Sequence, residues 1–235
     1  MNFNTKTMGI PGGDSAPPSK TAGSFLNLHA AVGNPIADET AMNSRPMYHE
    51  GSRRMQDRFD SRRIADRLEQ VTVHTEFDDE DRAFIGKAAQ FFLATADAAG
   101  RPDCSYKGGM PGFVRILDAS MLAFPDYDGS GMVRSLGNIM VNPHVGLLFI
   151  DFQEADRMRV NGTAEVRTDD PLLAEFPGAK SIVRVRVEKI FPNCPRYIHR
   201  MEFKAYSDHA PREGHTPPVP RWKTNPAFND ALPKA

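Results

Sequence analysis

The stretch DYDGSGMVRSLGNIMVNP, from Asp126 to Pro143, brings together residue types that can hold an anion. A loop containing Gly129 and Gly131 runs into a segment where Leu136, Ile139 and Met140 recur at helical spacing, and Asn142-Pro143 stops it. Arg134 and Ser135 therefore stand in the first turn of a helix. A helix start presents free N–H groups and a partial positive charge, which together favour a phosphate. Arg134 can add a charge-assisted hydrogen bond and Ser135 a hydroxyl. The plainer reading, a surface arginine beside a helix-start serine, accounts for this stretch equally well.

Two more cations extend the pattern. Lys107 closes the segment SYKG, and Arg115 interrupts the apolar run FVRIL. On neighbouring strands these two and Arg134 can converge on a phosphate and a planar ring, whereas on a simple alternating strand Arg115 faces solvent. The histidines offer acid–base chemistry near neutral pH. His209 and His215 lie in a loop without supporting acids or thiols, so no metal site is expected there. His144 opens a strand and reads as structural. His49, ahead of an arginine-rich helix, and His199, in YIHRM, are the candidates to face a ligand as acid or base, with structural roles as the alternative. Cys104, beside Ser105, reads as a small buried residue.

These groups need a scaffold. The chain has 235 residues, enough for one substantial core with appendages. Its 29 Lys and Arg nearly cancel 30 Asp and Glu, so no global field recruits nucleic acid or an acidic membrane. Cys104 and Cys194 show no CxxC spacing and make no disulfide framework, which points to reduced thiols. With no charged segment followed by an apolar run at the start, and no long apolar stretch elsewhere, the sequence reads as a soluble cytoplasmic protein.

Residues 1–45 are rich in Gly, Pro, Ser, Ala and Asn and read as a flexible N-terminal extension, with FLNLHAAV (25–32) as a run that can dock. From Ser52 to Gln70 one helix is expected, with Met55, Phe59, Ile64 and Leu68 in an apolar stripe and Asp/Arg pairs on the other faces. A second helix is expected over 78–89, with an acidic start suited to the helix dipole and Phe84, Ile85 and Ala88 buried. The period then changes to two. Strands are expected at 90–96, 103–108, 113–118, 121–124, 144–152, 157–167 and 181–191, the last alternating Val183, Val185 and Val187 with charged residues. Short strands, tight turns and one inserted helix predict a mainly β protein built on a small antiparallel barrel with flanking α-helices. CPRYIHRM (194–201) is expected to be a short helix, and residues 204–235 an extended, proline-rich tail.

The run FFLATADAAGRPDCSYKGGMPGFVRILD, followed by FPDYDGSGMVRSLGNIMVNPHVGLLFIDF and MRVNGTAEV, resembles the pyridoxamine 5'-phosphate oxidase-like family of FMN-binding split barrels. The resemblance covers roughly residues 47–202 and makes 46–203 the expected FMN-binding split-barrel domain, N-terminal helices included. It implies a homodimer with FMN at the subunit interface. By position, Ser105, Lys107, Arg115, Ile116 and Leu117 would edge the flavin, while Arg134 and Ser135 would hold its phosphate, with Asp126, Asp128 and Asn138 nearby. The anion of the opening stretch would then be the FMN 5'-phosphate.

One departure matters. Members that oxidise pyridoxamine phosphate carry an Arg-x-His pair near the C-terminus, and the tail HAPREGHTPPVPRWKTNPAF has none in that setting. The expectation is an FMN-dependent oxidoreductase acting on a small organic substrate, with NAD(P)H as a possible electron donor, and not a true pyridoxamine phosphate oxidase. Trp222 and Lys223 are the tail residues that can approach the site. The alternatives are a non-catalytic flavin- or haem-binding protein of the same fold, F420 in place of FMN, or a cofactor-free interaction protein working through the basic helix.

Overall fold

The structure, a computed structural model, describes residues 46–228 and 230–233. The expectation for residues 1–45 lies outside them. Among the described residues there are four α-helices: α1 (Glu50–Arg58), α2 (Arg62–Thr72), α3 (Asp79–Lys87) and α4 (Arg134–Val141). They flank seven strands: β1 (Gln90–Ala96), β2 (Pro102–Gly108), β3 (Arg115–Ile116), β4 (Met121–Tyr127), β5 (His144–Asp151), β6 (Asp156–Arg167) and β7 (Ala179–Pro192).

The strands form one antiparallel sheet in the order β2-β1-β5-β6-β7-β4-β3. In a flat sheet β2 and β4 would lie about 24 Å apart, five spacings of about 4.8 Å. Yet Lys107 Nζ on β2 donates to Asp126 Oδ1 on β4 at 2.8 Å. The sheet must therefore curl until its two ends face each other, leaving a split between β2 and the β4–β3 pair. This is a split β-barrel, and the alternating strands supply its filling. Phe91, Leu93, Phe124, Leu147, Phe149, Val160, Val183 and Val185 are almost fully buried. Phe91 is the hub, with ring centroids 4.9 Å from Phe124 and 5.1 Å from Phe149.

The curl needs irregularity as well as pattern. Pairing between β6 and β7 shifts register at Asn161/Gly162, a bulge that bends the long strands. A Cβ on Gly162 would stand 2.1 Å from the Arg186 carbonyl oxygen, so only glycine lets the two backbones meet there.

Two departures from the sequence pattern concern helices. The stretch expected as one helix is broken at Asp60, whose φ of 51° lies in the left-handed region that Asp tolerates better than most residues. The chain folds back, and Arg53 reaches Asp66 at 2.5 Å while Arg62 reaches Asp57 at 2.5 Å, so these Arg/Asp pairs close within one chain. The apolar stripe nevertheless stays outside, with Met55, Phe59, Ile64, Leu68 and Val71 all exposed. CPRYIHRM forms no helix; Pro195 sets a single turn, with Ile198 N–H to Pro195 O at 2.9 Å, and the chain continues extended.

The helix expected over 78–89 is α3. Asp78 and Asp81 form a reciprocal capping box at its start, and Ile85 is completely buried. The strand expected over 113–118 shrinks to Arg115–Ile116, because Phe113 and Val114 are buried in a loop and do not extend the edge. No helix among the described residues is long and apolar enough to cross a membrane.

Candidate functional site

The loop after β4 rises through exposed residues to Val133, then α4 begins. Val133 has φ 49° and ψ 30°, a left-handed conformation that a β-branched side chain rarely adopts. Such strain costs about 1–3 kcal/mol and collects where ligands are held. Nothing in the sequence signals it, since glycine or asparagine would be the usual choice there. The first intrahelical bond runs from Gly137 N–H to Val133 O at 3.0 Å, and no side chain caps the N–H groups of the first turn. Ser135 is buried and Arg134 exposed at that turn.

Two contacts seat α4 on the barrel. Asn138 Nδ2 donates to Thr95 Oγ1 on β1 at 3.0 Å, and Arg134 Nε to Asp103 Oδ1 on β2 at 3.2 Å. Alternation then decides what lies beside them. Phe91, Leu93 and Thr95 point inward on β1 and pair with Lys107, Ser105 and Asp103, which therefore share the inner face of β2. The strand thus carries Asp103 with Arg134 at one end, Ser105 in the middle, and Lys107 with Asp126 at the other. Both side chains of the Lys107–Asp126 pair are mostly buried, at 17% and 18% exposed. Asp103 and Thr95 are site residues that sequence reasoning missed, although Asp103 stands two and four residues before Ser105 and Lys107 on the same face.

The other expected positions separate from this row. Arg115 does not join Lys107: β3 does not pair with β2, and the two cations take different partners. Its guanidinium donates to Gly112 O at 2.6 Å, lies 3.7 Å from Glu175 and stacks 5.4 Å over Phe176. Ile116 and Leu117 pack against the core. Asp128 is exposed and holds Lys180 at 2.5 Å and the tail residue Lys223, and these ammonium groups keep its carboxyl below the usual carboxylate range. Lys223 thus reaches the loop that precedes α4, while Trp222 packs edge-on to Phe228.

His49 caps α1, its Nδ1 accepting from Gly51 N–H at 3.1 Å, and His199 is exposed in an extended segment. Neither lines a cleft with β2 or α4. Cys104, expected to be buried, is exposed, because it lies on the outward face of an edge strand. Met140, on the expected apolar side of α4, is exposed as well, leaving Leu136 and Ile139 to dock the helix.

A seven-stranded split barrel with a helix inserted between β4 and β5 defines the class of protein. Within that class, residues 77–194, half of the chain, match the family model for pyridoxamine 5'-phosphate oxidase, and the chain belongs to that family. Solved structures similar to parts of it include HupZ of Group A Streptococcus, at 23% identity over 49% of this chain and 93% of that one, with a TM-score of 0.41. An FMN-binding protein of Syntrophomonas wolfei has 11% identity over 60% and 97%, with a TM-score of 0.36. The haem storage protein HutZ of Vibrio cholerae has 20% identity over 51% and 92%, with a TM-score of 0.34. No curated protein matches the chain.

Proposed function

We propose that the chain is an FMN-dependent oxidoreductase for a small organic substrate, working as a homodimer whose second copy completes the flavin site. The observation that carries the reading is the inner row of β2. An anion-suited helix start stands at its Asp103 end and a mostly buried cation at its Lys107 end, four residues or about 14 Å along the strand. FMN has that format: a phosphate, a flexible polyol and a planar ring. The side chains fit the group. Arg134, Ser135 and the first N–H groups of α4 would take the phosphate. Asn138 and Ser105 would face the polyol, and Lys107 would set positive charge beside the ring.

When bound, FMN supplies two-electron redox chemistry, and the protein's part is position, electrostatics and exclusion of water. Asp103 would compete with the phosphate for Arg134, and Asp126 already balances Lys107, so charge at both ends is tuned and not merely positive. That balance also favours a second reading, a flavin carrier without turnover. NAD(P)H is the electron donor to try first in separating the two.

The absorption spectrum of the purified protein tests the cofactor, with FMN released on denaturation as the expected result. A colourless protein that also refuses added FMN would sink the reading. Arg134→Ala is expected to raise the FMN dissociation constant about tenfold or more, the loss of a charge-assisted hydrogen bond. Asp103→Asn is expected to leave binding equal or tighter, since it releases Arg134; equal affinity in wild type and Arg134→Ala would remove the phosphate role. Anaerobic bleaching of the flavin by NADPH then distinguishes an oxidoreductase from a carrier.

A further inference from the structure

The helical hairpin α1–α2 carries a surface that the barrel does not cover. Met55 and Phe59 on α1, and Ile64, Leu68 and Val71 on α2, are between 48% and 69% exposed. Ile64, Leu68 and Val71 recur at i, i+4 and i+7, so they share one face of α2. An apolar row left outside a folded chain marks an interaction surface.

Charge adds a second row. Arg54, Arg58, Arg63 and Arg67 stand immediately before Met55, Phe59, Ile64 and Leu68. One residue is about 100° around a helix, so the arginines flank the apolar row. Arg53 pairs with Asp66, Arg62 with Asp57 and Arg54 with Glu50. Arg58, Arg63 and Arg67 are exposed and make no ion pair among the described residues. The other acids of the hairpin are Asp60, at the turn, and Glu69, whose carboxylate accepts from Met47 N–H at 3.4 Å.

The opposite charge lies just past the far end of α2. Glu76, Asp79 and Glu80 are exposed and also make no ion pair among the described residues. They stay close to α2, because His74, two residues beyond Thr72, meets Asp81 at 2.6 Å. Arg58 and Arg63 cannot reach them. Both stand at the turn end of the hairpin, and the eleven residues of α2 separate its two ends by about 16 Å.

We propose that this face is a contact between two copies of the chain, with α2 packed antiparallel on α2 of the second copy about a two-fold axis. A two-fold contact requires a self-complementary patch. Antiparallel packing sets the turn end of each hairpin against the far end of the other, so the free arginines of each copy face the free acids of its partner. Leu68, near the middle of α2, then meets its own counterpart. The product is an apolar centre with a charged rim, the anatomy of a specific interface. An anionic membrane would attract the arginines and repel the acids, whereas a second copy uses both signs. The hairpin precedes residues 77–194, which match the family model, and it shares no residue with β2 or α4. The contact therefore does not rest on the flavin reading.

The test is sedimentation equilibrium of the full-length protein at micromolar concentration, with and without added FMN. Leu68→Glu is expected to halve the sedimenting mass and leave the FMN dissociation constant unchanged, with a melting temperature near wild type because the side chain is exposed. Two charge-reversed proteins, one with Arg58→Glu and Arg63→Glu, the other with Glu76→Lys and Glu80→Lys, should each associate about tenfold more weakly. Mixing these two should restore the wild-type mass, since both rims are then opposite in sign again. Wild-type mass in Leu68→Glu, or no recovery on mixing, would overturn the proposal. So would binding of the wild-type chain to phosphatidylserine vesicles through Leu68 without self-association, which would make the face a lipid surface. Mass and FMN binding are read in the same samples. The expected masses in a protein that refuses FMN end the flavin reading alone, and FMN lost together with mass in Leu68→Glu would overturn the separation of the two sites.

Discussion

Replacing Asp170 with Ala is expected to lower the stability of the protein by about 3–5 kcal/mol, the cost of stripping one partner from a buried ion pair. The Asp170 side chain is fully buried and accepts from Nε and Nη2 of Arg184 on β7, at 2.5 and 2.9 Å, while its Oδ1 also accepts from Leu172 N–H at 3.0 Å. Removing it leaves Arg184, itself only 22% exposed, without its acid, and uncaps the turn Pro171–Glu175. That turn carries Glu175 and leads into Phe176, the two partners of Arg115.

Acid should reproduce part of the effect. The Arg184 guanidinium holds the Asp170 carboxyl below the usual carboxylate range. A lowered folded-state pKa means the pair's contribution is complete above the unfolded value, about 3.9, and is lost as pH falls through the folded one. The gap in urea-unfolding free energy between wild type and Asp170→Ala should therefore be constant near neutrality and shrink below about pH 4. A gap that persists unchanged at pH 3 would assign the loss to packing and not to the ion pair.

Gly162→Ala is expected to cost about 2–3 kcal/mol, at the upper end for overpacking, because the new Cβ meets backbone. A flexible side chain could move aside, but the Arg186 carbonyl 2.1 Å away is fixed in the β6–β7 ladder on both sides of the bulge. Either the bulge opens or the strands separate locally. The urea midpoint should fall with little change in the dependence on denaturant. Gly137→Ala is the control, as its Cβ meets nothing within 4 Å and its helical position gains propensity. If both variants unfold alike, the close approach at Gly162 has no energetic weight.

The two effects bear on the site as well as on stability. The bulge bends β6 and β7, the bend lets the sheet curl, and the curl brings Lys107 to Asp126. A variant that folds with a relaxed bulge should show weaker closure of the split and, on the proposed reading, weaker flavin binding.

Local chemistry was legible in the sequence. Period-two alternation placed β1 at 90–96, where it is found, and the opening stretch placed α4 with Arg134 and Ser135 in its first turn. The capped start of α3 follows from its run of acids. Such features depend on neighbours a few residues away, so residue type and spacing carry them. The family's order of motifs supplied the split barrel, which periodicity by itself left as a small barrel of unstated closure.

What needed the tertiary structure was everything set by long-range pairing. Lys107 and Arg115 are eight residues apart in sequence, yet their strands do not pair: β2 and β3 are the two edges that meet only across the split of the curled sheet. Each cation then takes an acid that the sequence places far off: Asp126 for one, Glu175 for the other. Asp60 ends a helix that the apolar stripe alone would continue, since the stripe records a preferred face and not whether anything covers it. The tail that brings Lys223 to Asp128 shows no periodicity at all. Residue order determined the strands and the anion-suited helix, whereas sheet order and the path of the tail decided which charges meet, and those are properties of the closed barrel as a whole.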